Sequence, residues 1–190
     1  EYTMKTPSVK TTYTDKAIPA LMKELSITNR MALPRIAKVV VNVGIGKILK
    51  DQKCVDEVVA SLEAITGQKV LLTKARKAIA GFKIREDLEI GARTTLHGKR
   101  MWDFLDRLFL IALPRVRDFQ GVTIKAVDHS GNLNLGIKDH TIFSEIVPEK
   151  VQHIFSFQVN VVTTSKNADE GRVLFRSLGV PFQQSDTNDK

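Results

Sequence analysis

One cysteine, Cys54, stands in 190 residues, so no intrachain disulfide can form and a zinc site built from thiolates alone is excluded. That usage suits a reducing compartment. Long apolar runs are missing too: the longest unbroken aliphatic and aromatic stretch, Leu108 to Leu113, falls far short of the roughly 20 residues a membrane-spanning helix needs. No membrane partner is expected. There is no internal repeat, low-complexity linker or heptad run, which leaves one domain as the simplest organisation. Phosphate-binding loops fail on inspection. Gly44-Ile-Gly46 lacks the third glycine of a dinucleotide fingerprint, and Gly46-Lys47 is followed by Ile48 rather than a hydroxyl residue that could hold magnesium. His97, His129, His140 and His153 share no ligand spacing and read as surface or capping residues. Cys54 has no histidine near it in sequence and reads as a small helix residue, while Asp103 and Asp106 read as a solvated helix face. No nucleophile, metal cluster or acid–base pair assembles, so the expectation is no enzyme, no cofactor and no metal.

What the chain does have is 43% hydrophobic residues, enough at this length for a core burying roughly 70% of the unfolded surface. Its net charge of +8 is one-sided. Residues 1–100 carry nineteen Lys and Arg against ten Asp and Glu, whereas residues 101–190 carry ten against eleven. A basic field confined to one half attracts polyanions, where mixed charge would serve mainly solubility.

Periodicity supplies the elements. Ile18, Leu21, Met22 and Leu25 share one face of a helix capped by Thr14 or Asp15, with Pro19 early enough to be tolerated. Ile36–Val43 alternates as a strand, with Val39, Val41 and Val43 opposite Lys38, Val40 and Asn42. A helix is expected over Asp51–Thr66 with Gly67 past its end, then a short strand at Lys69–Leu72. The apolar pattern lapses from Thr73 to about Glu89 and resumes as a strand at Ile90–His97. Arg100–Leu113 reads as the most hydrophobic helix, closed by Pro114. Asp128–Asn132 reads as a turn between short strands, Phe155–Thr164 as the clearest strand, and Ala168–Leu178 as a last helix. The simplest architecture these elements allow is a single α+β domain with a long basic loop. Residues 1–12, basic and Thr-rich without the apolar centre of a secretory signal, are expected to be an extension, and 183–190 a polar tail.

Two constellations carry chemistry. Lys74, Arg76, Lys77, Lys83 and Arg85 crowd thirteen residues with no acidic neighbour until Glu86, a density whose self-repulsion phosphates would relieve. Gly81 would allow close backbone approach to a ribose, and Phe82 offers a ring for stacking on an unpaired base. The plainer reading is a solvated polar loop. Secondly, if Ile36–Val43 and Ile90–His97 share a sheet, then Lys38 and Asn42, with Arg93, Thr95 and His97, make one polar face. Such a face can hydrogen-bond sugars and base edges. Alternatively, Asn42 and Thr95 satisfy local backbone groups.

Four runs then resemble a known family in register: Ile36-Ala-Lys-Val-Val-Val-Asn-Val-Gly-Ile-Gly46, Ile65-Thr-Gly-Gln-Lys69, Thr73-Lys-Ala-Arg-Lys-Ala-Ile-Ala-Gly-Phe-Lys-Ile-Arg85 and Arg115-Val-Arg-Asp-Phe-Gln-Gly121. They resemble the fifth protein of the bacterial-type large ribosomal subunit, and the likeness extends from about Tyr13 to Phe182. That resemblance implies a single α+β domain over 13–182, with a largely antiparallel sheet and helices packed on one side, in a structural constituent seated among large-subunit rRNA in the central protuberance. It implies binding of a 5S rRNA loop by the sheet side, with the family's contacts falling on Asn42, Gln68 and Thr95 and supporting the platform that includes Lys38 and Arg93. It further implies that Lys74, Arg76, Lys77, Phe82, Lys83 and Arg85 reach tRNA in the peptidyl site. A bridge to the thirteenth small-subunit protein is implied without residues. A bacterial and an organellar (mitochondrial or plastid) ribosome are equally compatible. Asp87 stands where the family often has glycine, and His97 where it often has arginine.

Overall fold

A computed structural model describes residues 8–46, 48, 51–117 and 119–183; most of the expected extension and all of the expected tail but Gln183 lie outside these. Five strands form one sheet, β1 (Ile36–Gly44), β2 (Leu71–Lys74), β3 (Glu89–Leu96), β4 (Leu133–Ile137) and β5 (Phe157–Thr163). Their order is β2-β3-β1-β5-β4, and every neighbouring pair is antiparallel. The alternation in each strand sorts its residues between two faces. Val39, Val41 and Val43 of β1, Ala92 and Leu96 of β3, Leu133 and Leu135 of β4, and Val159 and Val161 of β5 are buried on one of them.

Against that face pack helices α1 (Val9–Thr12), α2 (Ile18–Glu24), α3 (Gln52–Thr66), α4 (Gly98–Asp106), α5 (Leu113–Arg115) and α6 (Ala168–Ser177). One continuous apolar cluster runs from Val9 through Leu62, Phe104, Leu108 and Phe143 to Phe175 and Val180. The fold is therefore α+β with its helices on a single side, as the resemblance implied. α3 shows why its bounds were legible. Asp51 caps it by accepting from the Lys53 N–H at 3.1 Å, and Gly67 ends it in the left-handed conformation at φ 65°.

Elsewhere the structure departs from the periodicity. Helix begins at Val9, not near Thr14, and runs through a π-helical segment, Tyr13–Ala17, into α2. A second π segment, Arg107–Ala112, links α4 to α5, so Pro114 lies inside the helical run and does not close it. Each wide turn precedes a proline by one residue: Ile18 N–H bonds to the Tyr13 carbonyl before Pro19, and Leu113 N–H to the Leu108 carbonyl before Pro114. Widening the helix moves the carbonyl that a proline ring would otherwise strike, which lets both helices continue. β2 sits two residues later than expected because Val70 and its neighbours leave α3 before pairing begins at Leu71 opposite Arg93.

Two polar residues also differ from expectation. Asp106 is not a solvated side chain: its carboxylate accepts from Ser8 Oγ at 2.9 Å and from the Val9 N–H at 2.6 Å, clasping the start of α1 to the end of α4. His140 is not a surface residue but fully buried, stacked on Phe155 with ring centroids 4.0 Å apart. Burial pushes its pKa down, against the opposing pull of Asp139 and Glu57. Its isolated 3-10 turn has no period that could have signalled an inward side chain.

Candidate nucleic-acid interface

The sheet face away from the helices is polar, and its register brings the expected residues together. Asn42 lies directly opposite Arg93 on one side and Gln158 on the other; Gln158 in turn faces Gly136, and Arg93 faces Leu71. One row thus crosses all five strands. A second row runs Thr95, Val40, Asn160, Asn134, and Lys38 lies opposite Val162 beyond it. At the usual spacing between strands the platform is about 19 Å wide. Lys38, Asn42, Arg93 and Gln158 are exposed and Thr95 half-exposed. His97 follows β3 as the exposed residue preceding α4.

The alternative reading, in which Asn42 and Thr95 satisfy local backbone groups, meets a direct test. Among the described residues neither side chain makes a hydrogen bond, and neither Lys38 nor Arg93 makes an ion pair. Gln68 behaves differently. Its Nε2 donates to the Thr95 carbonyl at 3.0 Å, so it braces the end of β3 as well as standing beside the face. The sequence did not place Gln158, Asn160 and Asn134 on this platform, although the alternation of β5 already turned Gln158 and Asn160 away from the core. What was missing was that β5 pairs with β1. Asn160 Nδ2 donates to Asn134 Oδ1, fixing both amides, while Gly44 and Gly136 leave a recess of 430 Å³ bordered by Asn42, Ser156 and Gln158.

The basic segment is an ordered arm between β2 and β3. Ala75 N–H bonds to the Leu88 carbonyl at 2.8 Å, and Ile79 and Ile84 exchange bonds of 3.0 and 3.2 Å. This ladder turns at Ala80–Phe82, and Lys83 takes the left-handed conformation at φ 55° to close the turn. Lys74, Arg76, Lys77, Lys83 and Arg85 are all exposed, with no carboxylate within ion-pair distance among the described residues. Phe82 is 72% exposed at the tip. A ring that large left in water is one available for stacking. Gly81 has no positive φ, and a Cβ there would meet nothing within 4 Å, so the turn itself does not require glycine.

No feature of these surfaces resembles a reaction centre. Cys54 is not an activated nucleophile: burial and the neighbouring Asp51 carboxylate push its thiol pKa up. Glu145 is held below the usual carboxylate range, where partial burial opposes its charge but the Arg107 guanidinium 2.5 Å away outweighs it. That pair joins the π segment to the 143–146 turn and is structural.

Two family models match the chain, ribosomal protein L5 over residues 29–85 and the C-terminus of the same ribosomal protein family over residues 89–182. The chain belongs to the L5 family of large-subunit ribosomal proteins. Members of that family are structural constituents of the ribosome, and this chain is one of them, not an enzyme. Among L5-family relatives, the large ribosomal subunit protein uL5 of Anaeromyxobacter sp. (strain K) is 52% identical over 171 residues, covering 90% of this chain and 95% of its own. Those of Kocuria rhizophila and Renibacterium salmoninarum are 46% and 47% identical, covering 94% and 95% of this chain and 94% and 93% of theirs. The junction between the two L5 matches falls within the basic arm, yet β1 and β2 from the first pair with β3 and β5 from the second in one sheet.

Proposed function

We propose that this large-subunit protein binds 5S rRNA through the outer face of its sheet and touches peptidyl-site tRNA through the basic arm. The observation that carries the reading is the face of amide, hydroxyl and cationic side chains, Lys38, Asn42, Arg93, Thr95 and Gln158, whose polar groups have no partner within the described protein. A flat, unpaired polar surface whose cations, Lys38 and Arg93, come from the half of the chain that carries the excess positive charge matches what a folded RNA loop offers: sugar hydroxyls and base edges for the amides, phosphates for the cations. Gln68 supports the platform from its edge. The arm contributes density of charge and one stacking ring, a sequence-tolerant combination suited to the backbone of a tRNA that changes identity at every codon. Surrounding large-subunit rRNA and a bridge to the thirteenth small-subunit protein belong to the same reading, the latter with no residue assigned.

The test is a titration of the purified chain against 5S rRNA and an unrelated stem-loop at two salt concentrations. Tighter binding to 5S at both, with the margin persisting at the higher, is the expected result. Equal affinity for the two RNAs would refute recognition by the face.

A further inference from the structure

The strongest feature that RNA binding does not use lies at the start of α3. Asp51 is its N-cap, and Cys54 sits three residues on, on the same side of the first turn. His153 arrives from the stretch that leads into β5, about a hundred residues later in the chain. Each of the three offers one potential ligand atom, and these atoms all lie within 4.8 Å of one another. Neither the spacing of the histidines nor the single cysteine suggested it, because the fold alone makes the encounter.

We propose that Asp51, Cys54 and His153 form a binding site for one divalent transition-metal cation of the zinc type. The donor set selects the class. A thiolate, an imidazole and a carboxylate suit zinc or cobalt, whereas magnesium and calcium take sets made entirely of oxygen. Geometry permits closure. Bonds of about 2.0–2.3 Å in a tetrahedral site put ligand atoms roughly 3.3–3.8 Å apart, so a separation of up to 4.8 Å closes by about an ångström of side-chain rotation. His153 is exposed and can make that movement, while Asp51 is exposed but held and Cys54, 5% exposed, forms the floor. Water takes the fourth position.

The surroundings orient the ligands. Asp51 Oδ1 is held by the Lys53 N–H at 3.1 Å, which fixes the carboxylate plane. Glu57 Oε1 accepts from the Gln152 N–H at 2.8 Å, pinning the residue next to His153 against α3. On binding, the Cys54 S–H bond breaks, a sulfur–metal bond forms and one proton leaves to solvent; two anionic ligands then balance the cation's charge. The bound cation ties the first turn of α3 to the approach to β5. None of its ligands belongs to the outer face or the arm.

The full-length chain, kept reduced with a non-chelating phosphine, is titrated with cobalt(II). A thiolate-to-cobalt charge-transfer band in the near ultraviolet and tetrahedral ligand-field bands in the visible are expected to saturate at one equivalent. Zinc should bleach them, millimolar magnesium should not, and zinc should raise the melting temperature. Cys54→Ser removes the charge-transfer band. His153→Ala, at an exposed position, and Asp51→Asn, which keeps a capping oxygen for α3, each weaken affinity by roughly a hundredfold, since even outer-shell partners are worth 10- to 100-fold. His129→Ala, on the distant Asp128–Asn132 turn, leaves the titration unchanged. The proposal is overturned if no saturable cobalt spectrum develops, if the band survives Cys54→Ser, or if His153→Ala binds as tightly as the parent.

Discussion

Two pairs of substitutions on the outer face should weaken RNA binding with different signatures. Asn42→Ala with Thr95→Ala removes neutral hydrogen-bonding groups; Lys38→Gln with Arg93→Gln removes charge. All four residues lie on the same face, and none has a side-chain partner within the described protein, so each pair should shift folding stability by no more than about 0.5 kcal/mol. The amide and hydroxyl pair costs about 1 kcal/mol per lost hydrogen bond, or roughly a 30-fold loss of affinity in total, at every salt concentration. The charge pair behaves otherwise. Each phosphate contact contributes about 0.7–0.9 to the slope of log K against log salt, so losing two flattens that slope by about 1.4–1.8. Fluorescence anisotropy of labelled 5S rRNA across four salt concentrations resolves the two effects, with circular dichroism as the check on folding. The reasoning fails if the neutral pair changes the slope and the charged pair does not, or if neither pair alters binding while both proteins stay folded.

Replacing Lys74, Arg76 and Lys77 together with Gln should leave 5S affinity within about twofold yet reduce tRNA retention on assembled ribosomes, measured by filter binding; an unchanged retention would remove the arm from the account. Gly171→Ala should destabilise by about 1–3 kcal/mol in urea melts, because its new Cβ would lie 2.6 Å from the backbone of Gly131, while Gly136→Ala, with nothing within 4 Å, should unfold like the parent. Burial lowers the His140 pKa in the fold, so the unfolded chain binds its proton first as pH falls. Its contribution is complete above the ordinary value of 6.5, declines as pH falls below that, and levels off under the lowered folded value. His140→Phe should abolish that part of the pH dependence in denaturant melts between pH 7 and pH 5, and an unaltered profile would show that the imidazole titrates alike in the folded and unfolded chain.

The sequence revealed what local order controls. Val39, Val41 and Val43 alternate cleanly, so the inward and outward sides of β1 followed, and with them Lys38 and Asn42 on the binding side. Asp51 and Gly67 bounded α3 because capping is a property of a few consecutive residues. Charge density marked the basic arm without any knowledge of its shape. What stayed hidden depends on which segments meet. Gln158 joins the platform only because β5 pairs with β1, and no pattern inside either strand reports its neighbour. His140 turned inward because Phe155 lay waiting for it, and Asp106 became a clasp because Ser8 docks there. The wide helical turns before Pro19 and Pro114 were illegible for another reason: proline signals a break, and the sequence does not say whether the helix will stop or dilate.

The position of β1 has a consequence for synthesis. It is the middle strand, yet it borders β3 and β5 and touches no strand adjacent to it in the chain. During translation β2 and β3 can pair early as a hairpin, but β1 keeps an open edge until Thr163 has left the exit tunnel. A nascent polypeptide therefore gains its full five-stranded surface only when its last strand arrives, and truncated products lack the grip of the finished molecule.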